Sequence, residues 1–123
     1  MVEQYEVYWV ELDPTRGGEM AKTRPCVVVT PSDLNMYLTT VVIVPITSTI
    51  RNYPYRVLCS VAGREGEIAT DQIRTVDKSR LKRKIGDLNF SEIKGYVKCF
   101  SKCSVNNGSV QITGYVAYSK KIL

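Results

Sequence analysis

The chain predicts a mainly β protein, a small and strongly curved barrel with short helices and a C-terminal helix. Short runs rich in Val, Ile and Thr recur along the sequence, each bounded by Gly, Pro, Asn or Asp. That is the pattern of short strands joined by tight turns. Only one segment, late in the chain, repeats its apolar residues at helical spacing. The length of 123 residues suits one domain with one core, and many short strands around one core close readily into a barrel.

The elements follow in order. Tyr5 to Leu12 alternates, with Tyr8, Val10 and Leu12 on one face and Val7 and Trp9 on the other, which predicts a first strand. Asp13-Pro14 opens a long loop in which Gly17-Gly18 allows backbone dihedrals closed to other residues. Arg24-Pro25 marks the return to extended chain, because a residue before proline avoids the helical region. Cys26 to Thr30 is then the second strand. Pro31 to Leu38 connects, with room for one helical turn. Thr39 to Ile46 is the third strand and the most apolar, and Pro45, lacking an N–H, is expected near its end or on an edge. Thr47 to Pro54 is a polar loop, and Tyr55 to Val61 a fourth strand. Gly63 and Gly66 flank Arg64-Glu65 as an expected hairpin turn, with Glu67 to Thr70 as a short fifth strand. Val76 to Arg80 reads as a turn or short helix, and Leu81 to Gly86 as a sixth strand.

Asn89 followed by Glu92 has the spacing of a capping box. Ile93, Tyr96, Val97 and Phe100 then mark one helical face, predicting a helix from Phe90 to Cys103. Asn106-Asn107-Gly108 reads as a turn. The domain is expected to span residues 1–105. Residues 106–123 form a C-terminal extension, either an extra strand over Val110 to Tyr118 or a disordered tail.

Composition narrows the chemistry. Lys and Arg number 17 against 12 Asp and Glu, a net charge of +5 that mildly favours a polyanion partner. No apolar run approaches a membrane span, and MVEQYEVYW has no signal-peptide pattern, so the expectation is a cytoplasmic protein with no membrane partner. Cys26, Cys59, Cys99 and Cys103 form no C-x-x-C pair, so free thiols and no metal or cofactor are expected. There is no histidine. Histidine triads, a two-histidine acid–base pair and histidine metal sites are therefore excluded, leaving acid–base work to Glu, Asp, Lys, Arg, Tyr or water.

Three polar clusters sit at strand ends. Glu19, Lys22 and Arg24 lie where the first loop meets the second strand. Thr47 and Ser48 follow the third, and Asp71, Gln72 and Arg74 follow the fifth. If these strands are neighbours, the clusters converge at one end of the barrel, where loops pinned to a rigid sheet usually carry function.

The runs VYWVELDPTRGGEMAKTRPCVVVT, VVIVPITS and TDQIRTVDKSRLKRKIG, in that order, resemble the MazF/PemK/Kid toxins over about residues 5 to 105. The resemblance implies an SH3-like barrel, a homodimer, and a metal-independent ribonuclease (an mRNA interferase) that cuts single-stranded RNA at short sequences. It implies 2′,3′-cyclic phosphate and 5′-hydroxyl ends, and a cognate antitoxin protein whose acidic, disordered segment lies along a basic groove. Arg24 and Thr47 fall on the family's catalytic arginine and threonine. Glu19 falls on an acidic residue near that arginine, and Asp71 on the acidic residue of the DQxR segment. The chain departs from members that use a first-loop histidine, and from most members in its length beyond Val105.

The residue types suit the chemistry. RNA carries its own nucleophile, the 2′-hydroxyl. Arg24 offers a planar fork of donors for phosphate oxygens and for the charge that develops on them. Thr47 adds a hydrogen bond. Glu19 is the first choice of general base and Asp71 the second. For the general acid, direct transfer from Arg24 and transfer from water it polarises are both open. Arg16, Lys22, Ser48, Asp71, Gln72 and Arg74 are expected to contact RNA, and Tyr53 to stack on a base.

Each residue also has a plainer reading: a surface ion pair for Arg24, a loop-capping hydroxyl for Thr47, a solvated charge for Glu19, a turn cap for Asp71, and a structural or dimer-facing role for Gln72. Two other functions compete. One is a gyrase-poisoning toxin of the same fold, against which stands the lack of its C-terminal aromatic-plus-small motif in Ser119 to Leu123. The other is a catalytically silent RNA- or antitoxin-binding module.

Overall fold

One antiparallel sheet of seven strands builds the molecule in the computed structural model, which describes residues 1–107, with side chains as far as Lys102. The strands are β1 (Glu6–Glu11), β2 (Thr23–Val28), β3 (Thr40–Thr47), β4 (Arg56–Val61), β5 (Arg64–Ala69), β6 (Arg74–Asp77) and β7 (Leu81–Asp87). Two helices join them, α1 (Ser32–Asn35) and α2 (Phe90–Asn107), with short 3-10 turns at Thr70–Gln72 and Lys78–Arg80. The order across the sheet is β4-β5-β3-β2-β1-β7, and β6 pairs with β3 off that path.

The central strands bury both faces, which is why they read as unbroken apolar runs rather than as alternation. Val27, Val29, Val42, Val44 and Ile46 face one cluster, closed by Tyr96 and Phe100 of α2. Cys26, Val28, Val41 and Ile43 face a second cluster with Val10, Leu12 and Val76. Neighbouring residues take opposite faces, as pleating requires. Tyr96 and Phe100 are both 1% exposed and stack with ring centroids 5.6 Å apart. Burying each such ring contributes roughly 1.5–3 kcal/mol.

The strand β3 changes partners along its length. Thr40 to Ile43 pair with β6, and Ile46 and Thr47 with β5. Pro45 falls between these two ladders while lying opposite Cys26 of β2, so its missing N–H meets the expectation of a place near the strand end.

Several boundaries move. The second strand begins at Thr23, so Arg24 and Pro25 lie within it, opposite Val10 and Trp9. Cross-strand pairing with β1 outweighs the local signal that placed the entry at Cys26. Thr47 closes β3 rather than following it. The hairpin turn is Ala62-Gly63, at φ 52 and 76, with Val61 paired to Arg64. Two residues at positive φ are what a tight antiparallel hairpin demands. Gly66 lies inside β5 for a packing reason: a Cβ there would stand 2.6 Å from the Thr47 carbonyl oxygen. The four-residue β6, RTVD, carries too few apolar positions to be seen in the sequence. The sixth expected strand is observed as β7 and ends at Asp87.

The helix α2 begins as expected. The Asn89 N–H donates to Glu92 Oε1 at 2.9 Å and the Glu92 N–H to Asn89 Oδ1 at 2.8 Å. Glu92 Oε2 also accepts the Ser60 N–H at 2.7 Å, so one carboxylate both caps α2 and docks it on β4. Gly95, weak by helix propensity, lets α2 approach closely, since a Cβ would stand 3.1 Å from Val57 Cγ1. The helix continues to Asn107, past the expected end at Cys103 and through two residues of the expected turn. The expected strand over Val110 to Tyr118 and the tail around it lie outside the described residues.

Candidate functional site

The β1–β2 loop is closed at its neck by the Leu12 N–H donating to the Lys22 carbonyl at 2.9 Å. Two arginines from later in the chain hold its stem. Arg74 Nη1 donates to the Leu12 carbonyl at 3.2 Å. Arg80 Nη1 donates to the Glu11 carbonyl at 3.1 Å and to that of Asp13. At the tip, Glu19 folds back on its own loop: Oε1 accepts the Arg16 N–H at 2.5 Å, and the Glu19 N–H donates to the Arg16 carbonyl at 3.0 Å. The side chains of Arg16 and Glu19 are exposed there.

Arg24 is half-buried at the start of β2. Its Nε donates to the Ala21 carbonyl at 3.0 Å, which orients the guanidinium and leaves its terminal nitrogens for a ligand. With Lys22 and Ser48 it lines a cavity of about 260 Å³ whose floor is apolar, including Trp9, Pro25 and Ile46. Arg64 also lines it, its guanidinium carbon 5.1 Å from the centre of the Trp9 ring, within cation–π range. Cys59 also lines it. Burial, with a smaller contribution from the nearby Glu92 charge, pushes that thiol up to about 12. It is therefore protonated at neutral pH and no nucleophile.

A second hollow of about 210 Å³ is lined by Glu19, Met20, Pro45, Asp71, Gln72 and Arg74, among others. Pro45 lines this hollow and Ile46 the first. Because consecutive strand residues face opposite ways, the two hollows flank the end of β3 on either side. Thus Arg24, Lys22 and Ser48 come together, and so do Glu19, Asp71, Gln72 and Arg74, but as two groups rather than one. Thr47, at the junction, is 6% exposed, and its Oγ1 accepts the Thr49 N–H at 3.2 Å.

Asp71 is engaged by Arg56, whose Nε and Nη2 reach Oδ1 and Oδ2 at 2.8 and 3.2 Å. Burial pushes the Asp71 carboxyl up, but the Arg56 hydrogen bonds and charge, with a backbone N–H and Gln72, outweigh it and hold it below the usual carboxylate range. Gln72 links this pair to the first loop, donating to Asp71 Oδ2 at 3.5 Å and accepting the Met20 N–H at 3.3 Å. Tyr53 is exposed on the β3–β4 loop, its ring 5.3 Å from the Arg56 guanidinium carbon.

Two residues here escaped the sequence reading, Arg56 and Glu67. Glu67 is 1% exposed, and its carboxylate stands 3.7 Å from Arg56 Nη1. The signal was a second carboxylate in β5, next to the apolar Ile68 and Ala69, where an unpaired charge does not bury. Among the described residues no cluster of three or more Cys, Asp or Glu side chains could hold a metal ion.

Comparison with known proteins adds kinship. The family described as PemK-like, MazF-like toxin of type II toxin–antitoxin system matches residues 3–99. The Escherichia coli (strain K12) endoribonuclease toxin MazF is 35% identical over 81 residues, covering 62% of this chain and 73% of that protein. The Mycobacterium tuberculosis endoribonuclease MazF9 is 34% identical over 103 residues, covering 76% of this chain and 87% of that protein. Among solved structures, Deinococcus radiodurans MazF superposes with a TM-score of 0.75 at 22% identity, over 88% of this chain and 97% of that one. A mycobacterial endoribonuclease in complex with its cognate antitoxin superposes with a TM-score of 0.69 at 22% identity, over 80% and 90%. Both superpositions show that the fold is shared.

Proposed function

The chain belongs to the PemK-like, MazF-like toxins of type II toxin–antitoxin systems, and from that premise we propose how it works as an endoribonuclease toxin. Its substrate is single-stranded RNA, cut by attack of the 2′-hydroxyl on the adjacent phosphorus. The 5′-oxygen leaves, and the ends are a 2′,3′-cyclic phosphate and a 5′-hydroxyl. The observation that carries this reading is the setting of Arg24. Its guanidinium is fixed through Nε on the rim of a cavity beside Lys22 and Ser48, so its remaining donors can take the scissile phosphate and the charge that builds on it.

Thr47 and Ser48 at the end of β3 supply hydroxyl donors beside that position. The proton acceptor on this reading is Glu19, whose loop must carry it from the hollow it lines to the cavity that Arg24 lines. Loop closure over substrate commonly completes a catalytic set in this way. Asp71 is the weaker base, because both of its oxygens are engaged and Arg56 holds its proton affinity down. Lys22 and Arg16 meet the RNA backbone, and Tyr53 offers an exposed ring for a base. No step requires a metal. The protein works as a homodimer and is held inactive by a cognate antitoxin, the kind of partner with which the mycobacterial endoribonuclease forms its complex.

Incubating purified protein with a long RNA and mapping the cut ends tests this reading. Cuts at a recurring short sequence with cyclic-phosphate ends support it. Intact RNA, with the protein folded, would contradict it.

A further inference from the structure

Glu67 is a buried carboxylate with an unusual set of partners. Its Oε1 accepts the Arg51 N–H at 3.1 Å and its Oε2 the Asn52 N–H at 2.9 Å. Both donors belong to the β3–β4 loop, whose side chains at Arg51 and Asn52 are exposed. The loop is bent hard at this place, with Asn52 at φ 56 and Tyr55 at φ 65. A tyrosine in the left-handed region is strained and persists only where its surroundings hold it.

Arg56 completes the arrangement. Its Nη1 lies 3.7 Å from Glu67 Oε1, its Nε and Nη2 hold Asp71, and its guanidinium carbon lies 5.3 Å from the Tyr53 ring. Through Gln72 the same chain reaches the Met20 N–H of the β1–β2 loop. Beside Glu67 in β5, Gly66 brings the Thr47 carbonyl close, and Thr47 is the cross-strand neighbour of Glu67 itself. One carboxylate thus ties down the loop that leaves Thr47 and Ser48, and through Arg56 that loop is joined to the Asp71 cluster.

We infer that Glu67, with Arg56, is a positioning residue: a clamp that fixes the β3–β4 loop so that the hydroxyls at its base stand correctly for the reaction at Arg24. The clamp rests on the function proposed above. It acts through the loop backbone and touches no substrate. A side chain one strand away that misplaces a reacting group by about 1 Å can lower the rate about a hundredfold, so the effect belongs in kcat rather than in RNA affinity.

Hydrogen exchange and steady-state cleavage, measured together, test the clamp. In the wild type the Arg51 and Asn52 amides exchange slowly although they lie in an exposed loop. In Glu67→Gln, which preserves shape but offers one acceptor oxygen for two donors, at least one of them exchanges about tenfold faster or more. Cleavage by E67Q falls about tenfold or more in kcat with KM changed less than about twofold. Val76→Ala, in the second core cluster, lowers the melting temperature but leaves both amides and kcat unchanged. If E67Q does not fold, Glu67→Asp, which keeps the charge on a shorter arm, gives the same reading.

Unprotected wild-type amides would overturn the inference. So would unchanged exchange in the variant, or a loss of activity no larger than its unfolded fraction. A wild type that folds, shows the two protected amides and leaves RNA intact would instead overturn the proposed function and leave the exchange result standing for the clamp as a loop anchor.

Discussion

Arg24 and Asp71 show how far a residue's neighbours decide its role. Both looked like reactive groups in a polar loop. The Arg24 Nε bond to Ala21 fixes the side chain and leaves donors unspent. Asp71 is instead locked by Arg56. Arg24→Ala is therefore expected to lower cleavage about 10²–10³-fold or more, the usual cost of removing a preorganised donor to developing charge, while circular dichroism and melting stay near wild type. Asp71→Asn is expected to leave more activity than Arg24→Ala and to show itself in stability. Because Arg56 holds the Asp71 carboxyl down in the folded state, its contribution is present above the unfolded value of about 3.9 and is lost as pH falls through the lower folded value. Urea midpoints of wild type and D71N should differ near neutral pH and converge as the solution is acidified below that range. A gap that is constant with pH would break the link.

At the scale of elements, what the sequence revealed depended on whether the signal was local. The capping box at Asn89 and Glu92 was legible because it is a matter of spacing, and Asn89→Ala should cost about 1 kcal/mol in a denaturant titration. The first and third strands were legible from alternation and from β-branched runs. The hairpin turn was misplaced because Gly66 looks like a turn residue, whereas its place is set by the Thr47 carbonyl across the sheet. Gly66→Ala tests that reading: overpacking against backbone should cost about 1–3 kcal/mol, seen as a lower denaturant midpoint. The strand β6 was illegible because its four residues bury only Val76. Its strand character comes from the partner edge that β3 offers.

Across the whole molecule the two faces of β3 separate the polar clusters. The sequence puts polar clusters at three strand ends, which meet at one end of a barrel if the strands are neighbours. They do gather around the end of β3, but Ile46 and Pro45 open onto different hollows, so Arg24 and Glu19 start on opposite sides of that strand. Which side of a strand a loop residue reaches depends on sheet twist and on the Arg74, Arg80 and Gln72 contacts that hold the first loop. None of these is a feature of local spacing. Buried Glu67 and its partner Arg56 were missed for the same reason, since each is explained only by groups that the fold brings to it.

The most direct measurement of the central claim is the chemistry of the cut ends in the presence of excess EDTA. Single-stranded RNA is expected to be cleaved undiminished, with 2′,3′-cyclic phosphate on one fragment and a 5′-hydroxyl on the other. Fragments ending in a 5′-phosphate, or cleavage that vanishes with chelation and returns with a divalent ion, would contradict the claim.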